Sequence, residues 1–180
     1  MRVPDNFLFY LSAHENCTER LLSRATGFVA EDLDVSIDAE LVHLRKMVAS
    51  VQLEVHRMKA FVRLKALGPR VLYGYLKPRH KIGAHICDHF ARRNPKVIIV
   101  LGNGIESWIS VCSDGKILRD HEGGIAEVLE KLRSNLSCFE QSCDVENIWK
   151  IYYDSQYCPE RKNMATFRSR MPRETWMRPD

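Results

Sequence analysis

The chain has no C-x-x-C pair. Its six cysteines, at positions 17, 87, 112, 138, 143 and 158, are scattered, which argues against a zinc knuckle or ribbon. No apolar run approaches the roughly 18 residues of a membrane-spanning helix. The apolar stretch Phe7-Leu-Phe-Tyr-Leu11 is short, is followed by His14 and Glu15, and reads as a strand or core segment. A secretory leader is also missing, so the reading is a cytoplasmic protein with reduced thiols. No internal repeat or low-complexity segment occurs. There is no G-x-S-x-G, so the nucleophile elbow of a hydrolase is excluded. Gly102-Asn-Gly104 is followed by another strand-like run, where a phosphate-cradling loop needs a helix N-terminus, and it reads as a hairpin turn.

What the chain does have is charge concentrated in one segment. From Glu54 to Arg93 there are ten Lys/Arg against two acids, Glu54 and Asp88, a local net of +8. The 180 residues together carry only +4. Residues 1–53 are net −3 and residues 103–148 are net −5, so the basic segment lies between two acidic ones. This partition predicts a positive surface built by 54–93, with the later acids on a different face.

The elements follow from periodicity. Leu41, Leu44, Val48, Val51, Val55 and Met58 recur every three or four residues, the spacing of an apolar helical stripe. Ser36 or Asp38 is placed to cap that helix. It feeds almost directly into a strand, where Arg63 and Lys65 share one face. After Gly68-Pro69, residues 71–78 form the partner strand. A short helix over Ala84–Arg93 stops at Pro95, and residues 97–101 and 108–112 make a second hairpin. Helices are expected over Thr18–Phe28, ending near Gly27, after Gly123-Gly124 up to Leu136, and over Val145–Tyr157, while residues 30–38 read as an acidic connector. The expected fold is α+β: an antiparallel sheet of about four strands in hairpins, packed on the long helix, with further C-terminal helices. The length suits a single domain over 1–180, with 1–37 an N-terminal extension and 38–180 the core.

Guanidinium and ammonium groups pair with phosphates while aromatic rings stack on bases. Arg57, Arg63, Lys65, Arg79, Arg92 and Arg161 are therefore the phosphate-binding candidates, and Tyr73, Tyr75 and Trp176 the stacking candidates. Tyr73 and Tyr75 share one strand face, and that face is either the binding surface or the core. His56 and His80 are the candidate acid-base residues. His85 and His89 stand four apart on the short helix, near Cys87 and Asp88, but no spacing supplies a third ligand, so no metal is expected. Nothing indicates a cofactor.

Several separated motifs carry a resemblance. Glu54-x-His56-Arg57-Met58-x-x-Phe61-Val62-Arg63, Pro78-x-His80-x-Ile82, His89-Phe90, Trp149-x-x-Tyr152-Tyr153, Pro159-x-Arg161 and Met171-Pro-x-x-x-Trp176 occur in that order. In order and spacing the chain resembles an uncharacterised bacterial and archaeal domain linked to DNA metabolism. The resemblance runs from about Val51 to Trp176. That domain is often fused to, or encoded beside, a uracil-DNA glycosylase-like domain or a radical-SAM protein related to DNA-photoproduct repair enzymes. Leu64 and Cys158 depart from the family pattern, which often has an aromatic and an Asn there. The resemblance implies a setting in DNA metabolism or repair, with DNA and such a repair enzyme as partners, and assigns no catalytic residue. Base excision is not carried over.

Three functions fit these residues. One is a nucleic-acid-binding accessory module. A second is an enzyme on a nucleotide or other phosphate-bearing substrate, using His56, His80 and Arg63 or Arg161. The third is an adaptor whose basic face meets an acidic protein.

Overall fold

The computed structural model describes residues 2–68 and 70–136. The expected helix over 145–157, Arg161 and Trp176 lie outside the described residues. The chain divides into two compact units, one of residues 1–60 with 78–82, the other of 61–77 with residue 83 onward.

The first unit is helical. The Phe7–Leu11 run forms helix α1 (Phe7–Ala13), which buries Phe7 and Leu11, one turn apart, and leaves Phe9 exposed. A short apolar run does not distinguish strand from helix by itself, and here the four-residue spacing of the buried pair decides. Thr18 caps α2 (Glu19–Ala25) by accepting the Leu21 N–H. The acidic stretch after it is helix α3 (Ala30–Val35), whose Glu31 and Asp32 stand at the positive end of its dipole. Asp32 also accepts the Val29 N–H at 3.1 Å.

The predicted long helix is α4 (Ala39–Phe61). Asp38 caps it, its Oδ1 accepting the N–H groups of Glu40 (2.8 Å) and Leu41 (3.3 Å). Leu44, Val48, Val51, Val55 and Met58 are all buried, as the stripe requires. Leu44, Met47 and Val48 join Val3, Phe7, Leu11, Ala25, Ala30 and Leu33 in one apolar cluster. Arg45 donates to the Leu33 and Asp34 carbonyls (3.1 and 2.8 Å), tying α4 to the end of α3.

The second unit is a five-stranded sheet in sequence order: β1 (Lys65–Gly68), β2 (Val71–Tyr75), β3 (Ile98–Gly102), β4 (Ser107–Ser113) and β5 (Lys116–Glu122). The fold is α+β. The sheet is mixed, because β2 and β3 run parallel, Val71 opposite Ile98, and the other neighbours are antiparallel. Helix α5 (Gly83–Arg93) lies between β2 and β3 in sequence, and a parallel pair needs a connection of that length. Strand β5 was not expected: Lys-Ile-Leu-Arg-Asp-His-Glu is a largely exposed edge with few apolar residues. Its turn, Asp114-Gly115, has positive φ at both positions (51° and 76°), as a tight two-residue hairpin needs.

The register separates two apolar faces. Val71, Val100 and Val128 form a buried cluster with Leu67, Tyr73, Ile98 and Ile109, so α6 (Ile125–Leu136) covers one face. Helix α5 covers the other. Its first residue, Gly83, lies against the Trp108 ring, in the space a Cβ would occupy. Among the described residues no helix is long and apolar enough to cross a membrane.

Candidate functional site

In the helical unit the motif residues Glu54 and His80 come together. Glu54 faces the main chain of the 79–80 stretch: its Oε1 accepts the Arg79 N–H at 2.7 Å and its Oε2 the His80 N–H at 3.0 Å. One helical turn earlier, Ser50 Oγ lies 3.0 Å from His80 Nε2. From the other side the Glu15 N–H donates to His80 Nδ1 (3.3 Å), and the Lys81 N–H donates to the Ala13 carbonyl (2.8 Å). Arg79 closes the arrangement with an ion pair to Glu15. Residues 79–81 are thus clasped between α4 and the end of α1.

The hydrogen bonds settle the chemistry of the two rings at the clasp. His80 Nδ1 accepts a main-chain N–H, so the neutral ring carries its proton on Nε2 and donates it to Ser50. His14 Nδ1 likewise accepts the Asn16 N–H (3.1 Å). The two rings stack at 4.5 Å between centroids. Burial holds both imidazoles below their ordinary range. The neighbouring His80 adds to this for His14, while Glu54 acts in the opposite direction on His80. A serine nucleophile needs the reverse polarity, with Nε2 accepting from the hydroxyl and a carboxylate on Nδ1. Here the carboxylate holds main-chain donors. The arrangement ties residues 79–81 to α4 and to the end of α1.

A second polar cluster lies on the α5 face of the sheet. Asp88, buried on α5, accepts Ser110 Oγ (2.9 Å) and a two-pronged contact from Arg119 (Nε to Oδ2 2.9 Å, Nη2 to Oδ2 2.7 Å). Its neighbour Cys87 donates to the Trp108 and Ile99 carbonyls, and burial pushes its thiol up to about 11. Cys87 and Asp88 therefore face the sheet. Among the described residues no three His, Cys, Asp or Glu side chains are placed to hold a metal ion.

The remaining predicted residues fall as follows. His56 and Arg57 are exposed on the last turns of α4, and Arg79 is engaged by Glu15. In the sheet unit Arg63 and Lys65 are exposed at and before β1, and Arg92 and Arg93 are exposed on the last turn of α5. Tyr73 packs on the Val71–Val100–Val128 cluster, and Tyr75, two residues on, is half-buried. Sequence reasoning did not single out Glu54, Ser50 and His14 as partners of His80. The retrievable signal was Ser50 and Glu54, four apart on the helix. Nor did it find Arg119 as the partner of Asp88, because β5 itself was not recognised.

A family model, DUF4130, described as a domain of unknown function, matches residues 14–178. No curated protein and no solved structure matches the chain.

Proposed function

The chain belongs to the DUF4130 family, and we propose that it is a nucleic-acid-binding accessory module working in DNA metabolism or repair. One observation carries this reading: the two acids of the basic segment do not neutralise its surface. Glu54 is spent on main-chain N–H groups, and Asp88 is buried with Ser110 and Arg119. In the helical unit Arg57 is exposed. In the sheet unit Lys65, Arg70, Lys77, Arg92 and Arg93 are exposed. None of these six takes part in an ion pair among the described residues. Exposed cations without local counter-charges attract polyphosphate chains and release the counterions condensed there. Within this reading the partner is DNA, and a radical-SAM or uracil-DNA glycosylase-like repair enzyme supplies the chemistry.

The test is a fluorescence-anisotropy titration of the protein with labelled 20-mer DNA, single- and double-stranded. A neutral-backbone peptide nucleic acid of the same sequence serves as comparison. Saturable binding to DNA that is absent with the neutral analogue is expected. No binding to DNA, or equal binding to both, would show that the exposed cations serve another partner, such as an acidic protein.

A further inference from the structure

The parallel pairing of β2 with β3 gathers cations that the linear sequence keeps apart. Val71 lies opposite Ile98, so both strands start at the same end of the sheet, and the Ile98 N–H donates to the Arg70 carbonyl (2.9 Å). Helix α5 ends at that edge with Arg92 and Arg93, and Asn94-Pro95-Lys96 leads from it into β3. The Lys96 N–H donates to the Cys112 carbonyl (2.8 Å), placing Lys96 beside the far end of β4. Across the β4–β5 turn Ser113 is opposite Lys116. Arg70, Arg92, Arg93, Lys96 and Lys116 are all exposed. On the turns that carry them the only acid is Asp114. Lys96 and Lys116 lie outside the 54–93 segment, so charge counting along the chain does not find this group.

The opposite end of the same sheet is mixed, with the exposed cations Arg63 before β1 and Lys77 after β2 beside three acids. Glu106 follows β3, Glu122 closes β5 and Glu127 opens α6. Asn103 organises that end: its Oδ1 accepts the Ile105 and Glu106 N–H groups (2.8 and 3.2 Å). The Ile125 N–H bonds the Asn103 carbonyl at 2.9 Å. Acids offset the cations at that end, whereas the turns bearing Arg70, Arg92, Arg93, Lys96 and Lys116 hold a single acid, so an approaching polyanion is drawn to them.

Resting on the nucleic-acid reading, we infer that this rim is the docking site for the phosphate backbone of a double-stranded nucleic acid. Three strand spacings of about 4.8 Å separate β2 from β5, so the rim is about 14 Å long. That is about four axial rises of roughly 3.4 Å, enough to lie along a short stretch of duplex backbone. The turns that form it carry no aromatic side chain, and Tyr73 is packed in the core cluster under α6. Binding of single strands without sequence preference relies on aromatic platforms on which bases stack, and among the described residues this rim has none. Contacts to phosphate alone hold a duplex without reading its sequence.

The experiment compares the full chain with two double variants on a 20-base-pair duplex and on its single strand, from about 50 to 200 mM salt. Arg92→Ala with Arg93→Ala puts the strongest helix former on the last turn of α5. Lys96→Asn with Lys116→Thr respects the left-handed backbone of Lys96 (φ 63°) and the strand at 116. Each pair should weaken duplex binding at least about tenfold near 0.1 M salt and lower the slope of log affinity against log salt by about 1–2, since each lost phosphate contact removes about 0.9. The wild type should prefer the duplex to the single strand. If the wild type binds neither, the nucleic-acid reading and the rim both fall. If it binds the duplex and both folded variants keep its affinity and slope, the rim alone is overturned. A single strand bound as tightly as the duplex overturns the assignment of the occupant.

Discussion

His80 shows how many segments one side chain can hold together. Its two nitrogens and its own N–H engage Glu15, Ser50 and Glu54, three segments of the helical unit. Protonation would put a hydrogen on Nδ1, where the Glu15 N–H already points, and the same holds for His14 and the Asn16 N–H. The charged groups nearby are divided: Glu15 and Glu54 favour the imidazolium, while Arg79, and for His14 also His43, oppose it. Both folded-state values lie below the ordinary one, so the unfolded chain binds these protons first. The stability they contribute is fully present above about pH 6.5 and is lost as pH falls through the folded values. The thermal midpoint should therefore fall between about pH 7 and 5, and fall less in His80→Gln, whose amide does not titrate. Identical pH profiles for wild type and variant would mean that the clasp does not sense protons.

At the level of elements, α4 is the scaffold of the helical unit. Val51 and Met58 on its stripe are 0% and 2% exposed. Truncating either to Ala should cost on the order of 1–4 kcal/mol through lost burial and the cavity left behind. For a chain of this size that is roughly 2–4 °C of thermal midpoint per kcal/mol. Unchanged midpoints in both variants would contradict the scaffold role. This helix was legible because six apolar positions kept one period over five turns. Helices α5 and α6 and the β3–β4 hairpin were legible for the same kind of reason: periodic stripes, a Pro95 stop, and an Asn-Gly turn. The missed elements are those in which burial leaves little mark on the sequence. α1 is an apolar run too short to show a period, and α3 is acidic with only Ala30 and Leu33 buried. β5 is an edge whose side chains are mostly in solvent. The parallel register of β2 and β3 was also not legible: the helix over 84–93 was expected, but a single strand–helix–strand unit between two hairpins does not show in sequence how its strands pair.

For the molecule as a whole the decisive property is charge. The sequence showed where cations are dense, and the structure adds where their counter-charges go: Glu54 to main-chain donors, and Asp88 to Ser110 and Arg119. It also adds Lys96 and Lys116 to the sheet end, which only the strand register brings there. The site was thus half legible. The abundance of phosphate-binding side chains was visible in the composition of one segment, while their grouping depends on pairings between residues dozens of positions apart. The most direct test of the central claim is the salt dependence of duplex DNA affinity for the unmodified chain. If exposed, uncompensated cations bind the backbone, log affinity falls linearly with log salt, with a slope of about −3 to −5 for four to five phosphate contacts. An affinity that stays flat from about 50 to 200 mM salt would contradict it.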